Sequence, residues 1–140
     1  MSDLNRFGIS LPTHLLEIFD QSITNKGYQN RSQAIRDLIT KEIVKDEWQD
    51  NNSDEVAGAI TLVYDHHSKG LSDNLTSLQH DFYDIIISTT HVHLDHDNCL
   101  EVIIVKGPTH KVKEIVEKLK VIRGIKHNEI AMTTTGKNLD

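Results

Sequence analysis

One alternating strand with no partner of its own constrains this chain most. Over Asn5-Arg6-Phe7-Gly8-Ile9-Ser10-Leu11, Phe7, Ile9 and Leu11 take one face and Arg6, Gly8 and Ser10 the other, the pattern of a half-buried strand. Pro12-Thr13 then opens a helix, with Thr13 as its N-cap. Leu15, Leu16, Ile18, Phe19 and Ile23 form its apolar stripe, and Gly27 ends it. Asn30-Arg31-Ser32 starts a second helix, with Ser32 as cap and Ala34, Ile35, Leu38, Ile39 and Ile43 in helical period. A strand and two helices in about 45 residues bury too little surface to stand alone. Two copies that pair their strands antiparallel and interlock their helices solve both problems, so an obligate dimer is expected at this end.

Asp46 to Asp54 is polar and acidic and reads as a linker, with Trp48 expected to pack on a domain surface. Beyond it, Val56–Tyr64 reads as a strand, and Asp65 to Gly70 as a loop. Ser72-Asp73 starts a short helix with Leu75 and Leu78, ending near His80. Tyr83–His93 and Cys99–Lys106 read as strands. Pro108 fits the first turn of a helix with Val112, Ile115, Val116 and Leu119 inward, closed by Gly124, and Ile125–Thr133 is the last strand. The order β-α-β-β-α-β is the ferredoxin-like split unit, so the chain is expected to be α+β. The domains expected are residues 1–45, a linker at 46–54, residues 55–135 and a tail at 136–140.

Composition narrows the function. No apolar run can span a bilayer and no basic-then-apolar segment opens the chain, so neither membrane insertion nor export is expected. A single cysteine cannot form an intrachain disulfide, which suits a reducing cytoplasm. The net charge of -6 is uneven. Residues 1–45 carry six Lys/Arg against five Asp/Glu, a net of +1, and the rest carry nine against sixteen, a net of -7. Only the first part is therefore permitted near a polyanion.

The chemistry is concentrated in His91-Val92-His93-Leu94-Asp95-His96-Asp97-Asn98-Cys99. Positions i and i+2 of a strand share a face, so His91 and His93 can present two imidazoles side by side. Asp95 to Asn98 is turn chemistry, and Cys99 opens the next strand close enough to add a thiolate. Two imidazoles and a thiolate suit zinc, copper or nickel far better than magnesium or calcium. The bland alternative is a Cys99 buried as a small apolar residue. His66-His67 is a possible secondary metal site, Asp95, His96 and Asp97 are turn formers, and His14, His110 and His127 are surface residues. Glu101 follows Cys99 by two and can orient a ligand from behind. An enzyme is not expected: no second acid or base is placed, and no phosphate-cradling Gly-rich loop exists.

These residues carry a specific likeness. The chain resembles the NikR family, nickel-responsive transcriptional repressors of bacteria and archaea, from Asn5 to about Thr133. Gly27-Tyr28-Gln29-Asn30-Arg31-Ser32-Gln33-Ala34-Ile35-Arg36-Asp37 resembles the family's ribbon-helix-helix DNA-binding domain, and the run from His91 through Cys99-Leu100-Glu101 resembles its ACT-type regulatory domain. The resemblance implies a homotetramer, a dimer of dimers, that binds operator DNA and holds one Ni2+ per subunit. It implies His91, His93 and Cys99 of one subunit as ligands with His80 of a neighbour, leaving no open position for catalytic water. It implies DNA contacts from Arg6, Gly8 and Ser10 on the paired strands and from Asn30, Arg31 and Ser32 at the start of the second helix. Gly8 departs from the family, which often has a base-contacting side chain there, and Lys69 matches a basic position near DNA. The function implied is repression of nickel-uptake or homeostasis genes. An ACT-type sensor of another metal or small ligand is the alternative.

Overall fold

The computed structural model describes residues 3–50 and 55–139. The chain divides into two compact units, Met1–Ile43 with Gly136–Asp140, and Val44–Thr135.

The first unit holds α1 (Thr13–Asn25) and most of α2 (Arg31–Gln49). Pro12, not Thr13, is the N-cap of α1: its φ of -55° is already set, and its carbonyl accepts the Leu16 N–H at 3.1 Å. Gly27 stops the helix in the left-handed region at φ 83°, which lets the Tyr28 N–H turn back to the Ile23 carbonyl at 3.0 Å. The cap of α2 is Asn30 rather than Ser32. The Asn30 side-chain oxygen accepts the Gln33 N–H at 2.8 Å, while the Gln33 side chain accepts the Gln29 N–H at 3.3 Å.

Residues 3–12 form no regular secondary structure, so the strand expected at Asn5–Leu11 is not made within one chain. A lone strand has no ladder to satisfy its N–H and C=O groups, and its apolar face has nothing to lie on. Phe7 is 71% exposed and Ile9 58%, and Leu15, Ile18, Leu38 and Ile39 of the helices are bare as well.

α2 continues through Asp46–Gln49, the opening of the stretch expected as linker; residues 51–54 of that stretch lie outside the described ones. Trp48 packs on the sheet, as expected, and is buried there. Its ring lies against Gly58, where an added methyl group would sit 3.3 Å from the indole and 3.2 Å from the Ala131 carbonyl. Its Nε1–H donates to the Thr133 carbonyl at 2.8 Å. A side chain there would push the ring or the carbonyl back by a few tenths of an ångström, which glycine avoids.

The second unit has the expected order: β1 (Val56–Asp65), α3 (Leu71–Asp81), β2 (Ile86–His93), β3 (Asn98–Gly107), α4 (Thr109–Lys120) and β4 (Ile125–Thr133). The sheet runs β2-β3-β1-β4 with every neighbour antiparallel, the ferredoxin-like arrangement. β2 begins at Ile86 rather than Tyr83, because Phe82 to Ile85 is a turn (Ile85 N–H to Phe82 carbonyl, 3.0 Å) that buries Phe82 and Ile85. Pro108 stands just before α4 as its N-cap. Val56, Ile60, Leu62 and Tyr64 of β1 and Cys99, Ile103 and Val105 of β3 point to one face. They meet Leu71, Leu75 and Leu78 of α3 and Val112, Ile115 and Leu119 of α4 in one core.

Trp48→Ala should lower the unfolding free energy by about 3–5 kcal/mol, the usual cost of emptying a large core site. Denaturant titration followed by circular dichroism checks this.

Candidate metal centre

Strand register builds the site. Tyr64 of β1 stands opposite Cys99 of β3, and Cys99 opposite His93 of β2; one rung further in, Leu62, Glu101 and His91 align in the same way. Residues opposite one another on adjacent strands share a face, so His91, His93, Cys99 and Glu101 all project to the side that carries the helices. At this end of the sheet β1 runs out into the loop holding His66, and β2 turns back through Asp95–Asn98 into β3. The His66 N–H donates to the Asp97 carbonyl at 3.1 Å, tying loop to turn.

The Cys99 sulfur lies 3.2 Å from His66 Nδ1 and 3.4 Å from His93 Nδ1. A thiolate and an imidazole on one ion, at about 2.3 and 2.1 Å, stand roughly 3.1 Å apart at a right angle and roughly 3.6 Å apart at a tetrahedral angle. The sulfur is thus at coordination spacing from both imidazoles, the three donor atoms lie within 4.8 Å of one another, and the set fits a soft or borderline metal. Cys99 is fully buried, and burial, with Asp65, Asp95 and Glu101 nearby, pushes its thiol above the usual range. Tyr64 on the same rung is pushed up to about 12, chiefly by burial and then by Glu101 and Cys99.

His91 stands beside this cluster, its ring centroid 5.3 Å from that of His93 and 6.1 Å from that of Tyr64. His80, on α3, is exposed and lies near Tyr83, at 6.5 Å between ring centroids, rather than among the donors. The preceding residue, Gln79, donates to Glu101 Oε2 at 3.1 Å. Glu101 is buried, which raises its carboxyl above the ordinary range against the opposing pull of His91 and of this hydrogen bond.

His66 is the member that local spacing does not point to. His66 and His67 have ring centroids 4.0 Å apart, yet their coordinating atoms fall into different groups: His66 with His93 and Cys99, His67 with His96 and Asp97. Asp95 is the turn former, as expected. One of its oxygens accepts the Asp97 N–H at 2.9 Å and the Asn98 N–H at 2.8 Å, and the Asn98 side chain bonds both oxygens.

In the first unit, Arg6, Gly8 and Ser10 lie in the exposed segment before α1. Asn30, Arg31 and Ser32 form the start of α2. Arg31 is held by a two-point contact to Asp20, both N–O distances 2.8 Å, which lowers the Asp20 pKa and raises that of Arg31. Lys69 is exposed in the loop before α3.

Fold and donors together define a class, a ferredoxin-like α+β domain with a histidine–thiol cluster at one end of its sheet. Residues 57–133 match the NikR C-terminal nickel-binding domain family. A protein of Desulfotalea psychrophila that carries the name of a nickel-responsive regulator is 54% identical over 97% of this chain and 98% of its own. One of Pyrococcus horikoshii is 53% identical over 98% and 99%. The chain therefore belongs to the NikR family of nickel-responsive regulators. These are names of regulators rather than enzymes, and no helix among the described residues is long and apolar enough to cross a membrane. An uncharacterized protein of Thermotoga maritima shares the fold, with a TM-score of 0.50 at 15% identity over 56% of this chain and 96% of that one.

The Asp95 turn should loosen in acid. Hydrogen bonds from Asn98, then from the Asp97 backbone, hold the Asp95 carboxyl down to about 2. A lowered pKa means stabilisation that is full above the ordinary carboxylate range and lost as the pH falls from about 4 to about 2. Amide chemical shifts of Asp97 and Asn98 followed over that interval should titrate together with the Asp95 carboxyl.

Proposed function

We propose that this chain is a nickel-dependent, DNA-binding transcriptional regulator, mainly a repressor of nickel-uptake and homeostasis genes, working in the cytoplasm as a homotetramer with one nickel per subunit. The observation that carries this reading is the buried Cys99 thiol with His93 opposite it in strand register and His91 one rung further in, inside the segment that matches the nickel-binding family. His91, His93 and Cys99 of one subunit, with His80 of another, would hold the ion. Three imidazoles and a thiolate are strong-field donors that suit a square-planar d⁸ ion. His80 is exposed and apart from the donors of its own chain, which accords with service to a neighbour. Bound nickel would supply a fixed centre joining the β2–β3 end of one subunit to α3 of another.

The chain's own part begins with a proton. Burial keeps the Cys99 thiol protonated at neutral pH, so each ion bound must displace that proton, and affinity falls as the solution becomes more acid. The Gln79–Glu101 hydrogen bond ties α3 to β3, so ordering of the donors bears directly on the helix that carries His80.

At the other end, two copies of the segment around Arg6, Gly8 and Ser10 would pair as a two-stranded ribbon in the major groove. The exposed Phe7 and Ile9 supply an apolar underside for such a pair. With the Asn30 side chain committed to Gln33, the N–H groups of Arg31 and Ser32 remain for a phosphate. The Arg31 guanidinium is held by Asp20 and must be shared with that phosphate. Asp20→Asn should therefore tighten operator binding and steepen its salt dependence by up to about one unit of slope, with Arg31→Ala doing the reverse. Fluorescence anisotropy at several salt concentrations measures both.

A second reading has its own support. His66, His93 and Cys99 come together within a single chain, a three-donor set that suits zinc with one further ligand, and so favours a regulator responding to another metal. Nickel titration of the metal-free protein, followed by ultraviolet–visible spectroscopy with and without operator DNA, separates the two. The nickel reading expects thiolate charge-transfer and square-planar d–d bands that saturate at one ion per chain and are lost in Cys99→Ala. It also expects operator to tighten nickel binding by the same factor that nickel tightens operator binding. Absent bands, or nickel affinity indifferent to operator, would sink it.

A further inference from the structure

We propose, on the reading of His93 and Cys99 as metal ligands, that Lys126 is a positioning residue for their site. From β4 it bonds Asn98 and so holds the turn between the two ligands in the shape that presents both.

A bulge puts Lys126 there. Along β4, Ile130 and Asn128 are half-buried, and a two-residue period would turn Lys126 inward next. The register instead steps from Val63 opposite His127 to Tyr64 opposite Ile125, so Lys126 is the extra residue of a bulge. Ile125 takes the inward place and packs against the core, while Lys126 stays exposed. β3 and β4 lie on either side of β1, two strand spacings or roughly 10 Å apart. The Lys126 side chain passes the end of β1, and its Nζ donates to Asn98 Oδ1 at 2.5 Å.

The turn is built on Asn98. Its carbonyl accepts the Leu94 N–H at 2.8 Å and the Asp95 N–H at 3.3 Å, and its own N–H donates to Asp95 Oδ1 at 2.8 Å. Its Nδ2 group donates to the two Asp95 oxygens at 3.1 and 3.0 Å. A lysine ammonium can only donate. Bound to Oδ1, it leaves the Asn98 amide one orientation, with Nδ2 turned to Asp95. The Asp95 carboxyl, lowered first by the bonds from Asn98 and then from Asp97, also feels the Lys126 charge. A chain from Lys126 through Asn98 to Asp95 thus fixes the turn from a strand that is not part of it. His93 lies two residues before Asp95, and Cys99 directly follows Asn98. Freedom in this turn is therefore freedom in the spacing of imidazole and thiolate, and donors fixed beforehand lose less of it on binding an ion.

The test loads the full-length chain with nickel chloride and follows release, in excess chelator, by the decay of the thiolate charge-transfer band. Lys126→Met keeps the length of the side chain and removes the donor. It should release nickel about fivefold faster, the scale of one ordinary hydrogen bond, while Lys126→Arg, still a donor-only cation, should keep the wild-type rate. In the metal-free chain, hydrogen exchange at the Leu94 and Asp95 amides should quicken in Lys126→Met, with that of Ile60 and Leu62 in β1 unchanged. Asn98→Ala should release nickel at least as fast as Lys126→Met, and combining the two should add nothing, because the lysine acts through the asparagine. Where Asn98→Ala does not fold, Lys126→Met decides alone. Equal release from wild type and Lys126→Met, faster release with unchanged turn amides, or additive effects in the double variant would each overturn the proposal. A wild-type chain without the thiolate band would instead overturn the metal reading beneath it, so the two failures are told apart.

Discussion

The register of three antiparallel strands governs the site. With Tyr64 opposite Cys99 and Cys99 opposite His93, the end of β1, the end of β2 and the start of β3 are forced to the same edge of the sheet. A slip of one residue in either pairing would turn every side chain on that strand to the other face and dismantle the cluster. The core prevents such a slip, because the residues alternating with the outward set on β1 and β3 are those packed against α3 and α4. Hydrophobic burial in the body of the domain thereby sets the position of polar donors at its end.

This division explains what the sequence disclosed. The two-residue period put His91 and His93 on one face, and one short turn brought Cys99 back beside them; both are local facts, and β2 and β3 pair accordingly. His66 was not reachable that way, since its approach to Cys99 depends on how β1 aligns with a strand more than thirty residues later. The ferredoxin-like order makes β1 and β3 neighbours, but only their register brings Tyr64 level with Cys99. Trp48 is a similar case: its neighbours in sequence are acidic and polar, and the glycine that accommodates its ring lies on a strand of the sheet. At Asn5–Leu11 the alternation was plain to read, yet residues 3–12 form no regular secondary structure, since a lone strand has no ladder to join. The caps differ for smaller reasons. Asn30 reaches the third amide of α2 from one position before the helix, whereas Ser32 already lies inside it.

Polar groups near the cluster are arranged so that each has an assigned partner. Asp95 is saturated by its own turn, Glu101 is met by Gln79, and Asp65 accepts the His67 N–H. Carboxylates with such obligations compete poorly for a cation, which leaves nitrogen and sulfur as the available donors on the inner side. On the outer side Asp97 keeps its carboxylate turned to the His67 imidazole. Two adjacent histidines can in this way face environments of different hardness.

Sealing the one thiol of the chain inside the domain has a chemical consequence of its own. Oxidants and alkylating agents attack the thiolate, and they need access to it. Cys99 offers neither, because burial excludes the reagent and also keeps the proton on. In the metal-free chain the Cys99 thiol is thereby shielded from both kinds of reagent, an inert reserve rather than a sacrificial one.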